Sequence, residues 1–88
     1  MKVIILYQAN SEHRRQTEEF VHDFEHGHPN RKAEMVDVDS RDGAAQAALY
    51  DIVQYPSVLA MSDDGQLLKA WQGKFPLIDE LAYYAQED

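Results

Sequence analysis

At 88 residues the chain has room for one domain around one hydrophobic core, and its 44% apolar content is that of a globular protein. Sixteen acidic against eight basic residues give a formal net charge of −8, a field that repels phosphate backbones and anionic lipid and so argues against nucleic-acid and membrane partners. The absence of cysteine excludes disulfides, thiolate metal centres and thiol nucleophiles.

The chain opens on a near-continuous apolar run, Lys2 to Gln8, the pattern of a strand covered on both faces. Its core, Val3-Ile4-Ile5-Leu6, is too short for a signal-peptide core or a membrane span, and a cytoplasmic location is expected. Asn10 and Ser11 follow with the chemistry of a helix cap. From Glu12 to about His26 the pattern is helical, with Thr17, Phe20, Val21 and Phe24 on one stripe. Gly27 is expected to take the left-handed conformation at the helix end, and Pro29 prevents the helix from resuming.

Residues 33–39 alternate enough to form a strand with one wetter face, suited to a sheet edge. Asp39-Ser40 offers a cap for a second helix, from Arg41 to about Asp51, expected to bury Ala44, Ala45, Ala48 and Leu49. Ser57 to Ser62 and Gln66 to Gln72 read as strands joined by Asp63-Asp64-Gly65, a hairpin signal. Pro76 opens a last helix whose stripe is Leu77, Ile78, Leu81, Ala82 and Ala85. The predicted order is β-α-β-α-β-β-α over a single domain of residues 1–88. The fold class is α/β: a mixed four-stranded sheet with helices on both faces, its first two strands parallel.

The segment Tyr50-Asp-Ile-Val-Gln-Tyr-Pro56-Ser-Val resembles the thioredoxin-like superfamily, in which the third strand begins at a cis proline. The hairpin turn, Gly73 after the fourth strand and the amphipathic terminal helix fit the same resemblance, which covers almost the whole chain. A proline cannot donate a ladder hydrogen bond, so the first residue of a strand suits Pro56. A cis Tyr55-Pro56 bond is therefore expected. The resemblance places the family's Cys-x-x-Cys pair on Glu12-His13-Arg14-Arg15, to within one position. It puts Leu6 where thioredoxins carry a buried acid, and Ser11 where an aromatic usually precedes the pair. Thiol–disulfide exchange requires a thiolate, so the resemblance implies a redox-inactive member with no catalytic residues of that kind.

Basic residues in the first turn of a helix oppose its dipole, so His13, Arg14 and Arg15 are not there for helix stability. They balance an acidic surface, or they belong to a ligand or partner site. Helix N-termini bind anions, and in glutathione-binding members of the superfamily this region holds a peptide-like ligand with the backbone before the proline. The candidate binding residues are accordingly Asn10, Ser11, Glu12, His13, Arg14, Arg15, Tyr55 and Pro56, and the expected partner is a protein or an extended acidic peptide. An adaptor module is the first functional expectation. The alternatives are an enzyme or enzyme fragment that handles a glutathione-like ligand through Tyr7, and a structural domain of a larger assembly. No cofactor is called for. His22, His26 and His28 lack a fixed fourth ligand and read as surface histidines rather than a metal centre. Trp71, Tyr83 and Tyr84 read as core or rim packing.

Overall fold

The computed structural model describes residues 2–85. Only the backbone of Ala85 is included, so its expected burial lies outside the described residues. The elements run β1 (Lys2–Tyr7), α1 (Arg14–Gly27), β2 (Ala33–Asp37), α2 (Arg41–Leu49), β3 (Ser57–Met61), β4 (Leu67–Gln72) and α3 (Ile78–Ala85). The four strands form one sheet in the order β2-β1-β3-β4. β1 is parallel to β2 and antiparallel to β3, and β3 is antiparallel to β4.

The apolar run at the start of the chain becomes an inner strand because each of its faces meets a different cluster. Val3 and Ile5 pack with Phe24 of α1, Leu81 of α3, Val58 and Trp71. Ile4 and Leu6 face the other way, against Ala47, Ile52, Val36, Leu59 and Met61. Each fully buried large apolar side chain contributes about 1.5–3 kcal/mol, so the two clusters carry the stability of the sheet. On α1 the stripe falls as its spacing requires, with Thr17 and Phe24 buried and Phe20 and Val21 packed against the core. At the far end of β4, Trp71 is buried, donates its indole N–H to Glu80 and meets Tyr84 edge-on, whereas Tyr83 is exposed.

Several local expectations are corrected. α1 starts at Arg14 rather than Glu12, and its N-cap residue is His13, which makes no side-chain cap bond. The Ser11 hydroxyl instead donates to the Gln8 carbonyl at 2.6 Å, closing a turn whose backbone also bonds Ser11 to Gln8. Left-handed glycines occur at Gly65 and Gly73, not at Gly27. α1 ends where the His28 amide returns to the Phe24 carbonyl, just ahead of Pro29. β2 stops at Asp37, whose side chain turns to accept the Asp39 amide.

The buried face of α2 is rotated from the expected one: Gly43 and Ala47 are buried, while Ala44, Ala45 and Ala48 are exposed and Leu49 is 70% exposed. The cause is a close backbone crossing. A Cβ on Gly43 would lie 2.0 Å from the Asp37 carbonyl oxygen, so only glycine allows this approach and it fixes the helix rotation. Ser40 caps α2 as expected, accepting the Gly43 amide at 3.0 Å. In α3 the stripe is Ile78, Leu81 and Tyr84, and Leu77 is exposed because it precedes the first turn, giving its carbonyl to the Leu81 amide.

Candidate functional site

The register of β1 against β3 decides which candidate residues meet. Leu6 pairs with Ser57, so the chain leaving β1 and the chain entering β3 emerge at the same end of the sheet. Residues 10–15 follow the first of these points and Tyr55-Pro56 precedes the second. β4 ends at this edge as well, since Gln72 pairs with Ser57. Both α1 and α2 begin there, each following the C-terminal end of a strand in the parallel pair. Asp37 stitches the edge together, its carboxylate accepting the Ala9 amide at 3.4 Å and the Asp39 amide at 3.0 Å.

Within the first segment the residues have separate roles. Asn10 and Glu12 are exposed turn residues, and Ser11 is spent on the Gln8 carbonyl. His13 folds back so that its Nε2 accepts the Gln8 amide at 3.0 Å, which places the proton of the neutral ring on Nδ1. It therefore acts here as a hydrogen-bond acceptor. Arg14 and Arg15 are drawn toward carboxylates one turn along the same helix, at 3.2 Å to Glu18 and 4.0 Å to Glu19. The basic spot expected at this helix start is thus partly neutralised by α1 itself. The amides of Arg15 and Gln16 have no hydrogen-bond partner among the described residues, as first-turn helix amides generally do not.

Across the edge, the Tyr55-Pro56 peptide is cis. Tyr55 is anchored by its side chain, which packs on the α2-side cluster and donates its hydroxyl to the Ile52 carbonyl at 3.1 Å. Its backbone amide and carbonyl have no partner among the described residues. Pro56 is buried, and its carbonyl accepts the Gly73 amide at 2.8 Å. Gly73 reaches that position with φ of 77°, a conformation costly for other residues, and packs on the Gln54 side chain. Gln72 completes the bracket by accepting the Val53 amide at 3.0 Å. No hydrogen bond or ion pair among the described residues joins 10–15 to 55–56, so the two segments face the edge as separate walls.

Asp37, Gln54 and Gln72 support this edge and were not singled out by the sequence. The only available signal was their place beside strand ends. Tyr7 is half-buried at the end of β1, with its carbonyl bonded to the Val38 amide. Leu6 is fully buried in the apolar cluster on the α2 side, so the position of the family's acid is held by an aliphatic side chain. The three histidines in and just after α1 divide. His22 and His26 are exposed with their rings stacked 6.0 Å apart. His28 is half-buried against Phe24 at 5.3 Å, contrary to the surface position expected for it, because the turn after the helix folds its ring back onto the apolar stripe. Among the described residues, no group of three or more His, Asp or Glu side chains is placed to hold a metal ion. Among the same residues, no helix is long and apolar enough to cross a membrane.

No protein-family model matches this chain, and no curated protein matches it. Solved structures do. Thioredoxin O2 from Arabidopsis thaliana, in its oxidized state, superposes with a TM-score of 0.71 at 13% identity, over 93% of this chain and 69% of that one. A designed protein superposes with a TM-score of 0.69 at 21% identity, over 96% of this chain and 71% of that one. At such identities the likeness is one of fold. With the strand order, the mixed pairing and the helices on both faces, it establishes that this cysteine-free chain has a thioredoxin-like fold.

Proposed function

We propose that the chain is a non-redox binding module that takes an extended peptide of acidic character at the sheet edge between residues 10–15 and Tyr55-Pro56. The observation that carries this reading is the Tyr55 backbone. Its amide and carbonyl lack partners among the described residues, while the side chain is held on both its apolar body and its hydroxyl. Tyr55 lies at the entry to the inner strand β3, beyond its last pairs with β1 and β4, so a bound extended segment can pair with this one open peptide unit. The open amides of Arg15 and Gln16 favour an anion nearby, and a carboxylate of the peptide competes with Glu18 and Glu19 for Arg14 and Arg15. Each such exchange between exposed ion pairs contributes on the order of 1 kcal/mol or less, so selectivity for acid is modest and salt-sensitive. A cytoplasmic setting is part of the same proposal.

Chemical-shift mapping with acidic peptides and with glutathione, at low and high salt, tests the reading. Perturbations are expected on residues 10–15 and 54–57, to weaken with salt and to diminish in the Arg14→Ala/Arg15→Ala double variant. Shifts confined to the 62–66 hairpin, or full binding by the double variant, would place the interaction elsewhere.

A further inference from the structure

Among the cations that make no ion pair with another described residue, Lys2, Arg31 and Lys32 lie together at the opposite end of the sheet, whereas Arg41 and Lys74 lie at the end already described. Lys2 opens β1, and Arg31 and Lys32 lead into β2; with Asn30 and Glu34 they line a cleft of about 330 Å³. Val3 is in register with Ala33 on the parallel strands, so Lys2 and Lys32 are the next positions outward on both, like charge beside like charge. Such a pairing is unfavourable unless something intervenes. Arg14 and Arg15 each face a carboxylate one turn away, yet Lys2, Arg31 and Lys32 make no ion pair among the described residues. This occurs in a chain with twice as many acids as bases, where a neutralising carboxylate would be easy to supply. The nearby Glu25 carboxylate is engaged by the Ala33 amide at 3.0 Å. Glu34, exposed and paired in register with Ile4, is the acid that shares the cleft.

We infer that this cleft is an anion site that takes a small, multiply charged oxyanion of the phosphate type. Arg31 presents a planar fork of donors suited to two oxygens of one phosphate. Lys2 and Lys32 supply point charges from adjacent strands, and the Asn30 side-chain amide can donate from the turn between them. Glu34 opposes the ligand, which sets the affinity low and makes the site respond to the loss of one carboxylate. An anion bound here also relieves the Lys2–Lys32 repulsion, so occupancy stabilises the start of the β1–β2 pair.

The test is a titration of the 15N-labelled chain with inorganic phosphate and with phenyl phosphate, against chloride at matched ionic strength. Both phosphates are expected to give saturable shifts at residues 2 and 30–34. The double variant Arg31→Ala/Lys32→Ala should weaken binding about tenfold, from the loss of one half-buried and one exposed charge contact. Glu34→Gln should tighten it, and Lys74→Ala, which removes an exposed cation outside the cleft, should leave it unchanged. Shifts that do not saturate, or that spread over every cationic residue as in the chloride control, would overturn the proposal. So would unchanged binding by the Arg31/Lys32 variant or by Lys2→Gln. Thermal melts of each variant, read by circular dichroism, separate loss of the site from loss of the fold.

Discussion

The Nε2 of His13 accepts the Gln8 amide at 3.0 Å, tying the residue before α1 to the chain that leaves β1. The contact satisfies a part-buried donor just past the end of the strand, where no ladder bond is available. Replacing His13 with Ala should cost about 1 kcal/mol, the penalty for leaving such a donor unpaired. The fall in denaturation midpoint measures it, and the imidazole 15N spectrum checks the assignment, since the unprotonated nitrogen should be Nε2. A variant as stable as the parent, or a ring with its proton on Nε2, would remove this link.

Gly43 should be the least replaceable position of α2. An added methyl meets the Asp37 carbonyl oxygen at 2.0 Å and the Val38 Cα at 2.9 Å, both backbone atoms that cannot swing aside. Gly43→Ala is expected to destabilise by about 1–3 kcal/mol, although alanine is the better helix former by ~1 kcal/mol. Ala44→Gly, on the exposed face, should instead lose only that intrinsic preference. Urea unfolding of the two variants orders them, and a more stable Gly43→Ala protein would contradict the crossing described here.

That crossing also shows where the sequence was legible and where it was not. α1 could be read because Phe20, Val21 and Phe24 contrast with charged neighbours at helical spacing, so only one rotation buries them. In α2 nearly every candidate is an alanine, and small apolar residues all round a helix carry no phase. A backbone contact with a distant residue chose the face instead. At the candidate site, Pro56 and the element order were readable from the thioredoxin-like pattern, while the strand order β2-β1-β3-β4 was not. The hydrogen bonds of Ser11, His13 and Asp37 were not, since a hydroxyl or imidazole beside a helix start has several reachable partners. Arg31 and Lys32 carry no signal of their own in the sequence, and only the parallel register sets Lys2 beside Lys32.

Asp64 should titrate at lower pH than an unstructured aspartate. The Ser62 hydroxyl donates to its carboxylate and holds its pKa below the ordinary 3.8; desolvation opposes this, and backbone donors of the hairpin assist it. Because the folded-state value is the depressed one, the hairpin gains stability above pH ~4 and loses it as pH falls through the folded value. Carbon-detected carboxylate titration should show the low midpoint, and Ser62→Ala should raise it. A midpoint indifferent to Ser62 would mean that this contact is absent in solution.

Dithiothreitol-coupled insulin reduction should proceed at the blank rate with this chain, because it carries no sulfur that can form a thiolate. Cysteines introduced at Glu12 and Arg15 make a sharper experiment. Glu12 sits in the turn and Arg15 in the first turn of α1, so only the second gains the stabilisation that a helix N-terminus gives a thiolate. The fully buried Leu6, where the thioredoxin-like pattern puts an acid, offers no carboxylate to accept or hold a proton, and Ser11 offers no aromatic rim. The double-cysteine variant should therefore reduce insulin measurably but slowly, at least about tenfold below a thioredoxin assayed beside it, consistent with missing general-base assistance. A rate equal to thioredoxin's would show that the fold and two thiols suffice, and that an acid at the Leu6 position contributes nothing. Turnover by the parent chain above its heat-treated control would require a chemistry other than thiol exchange.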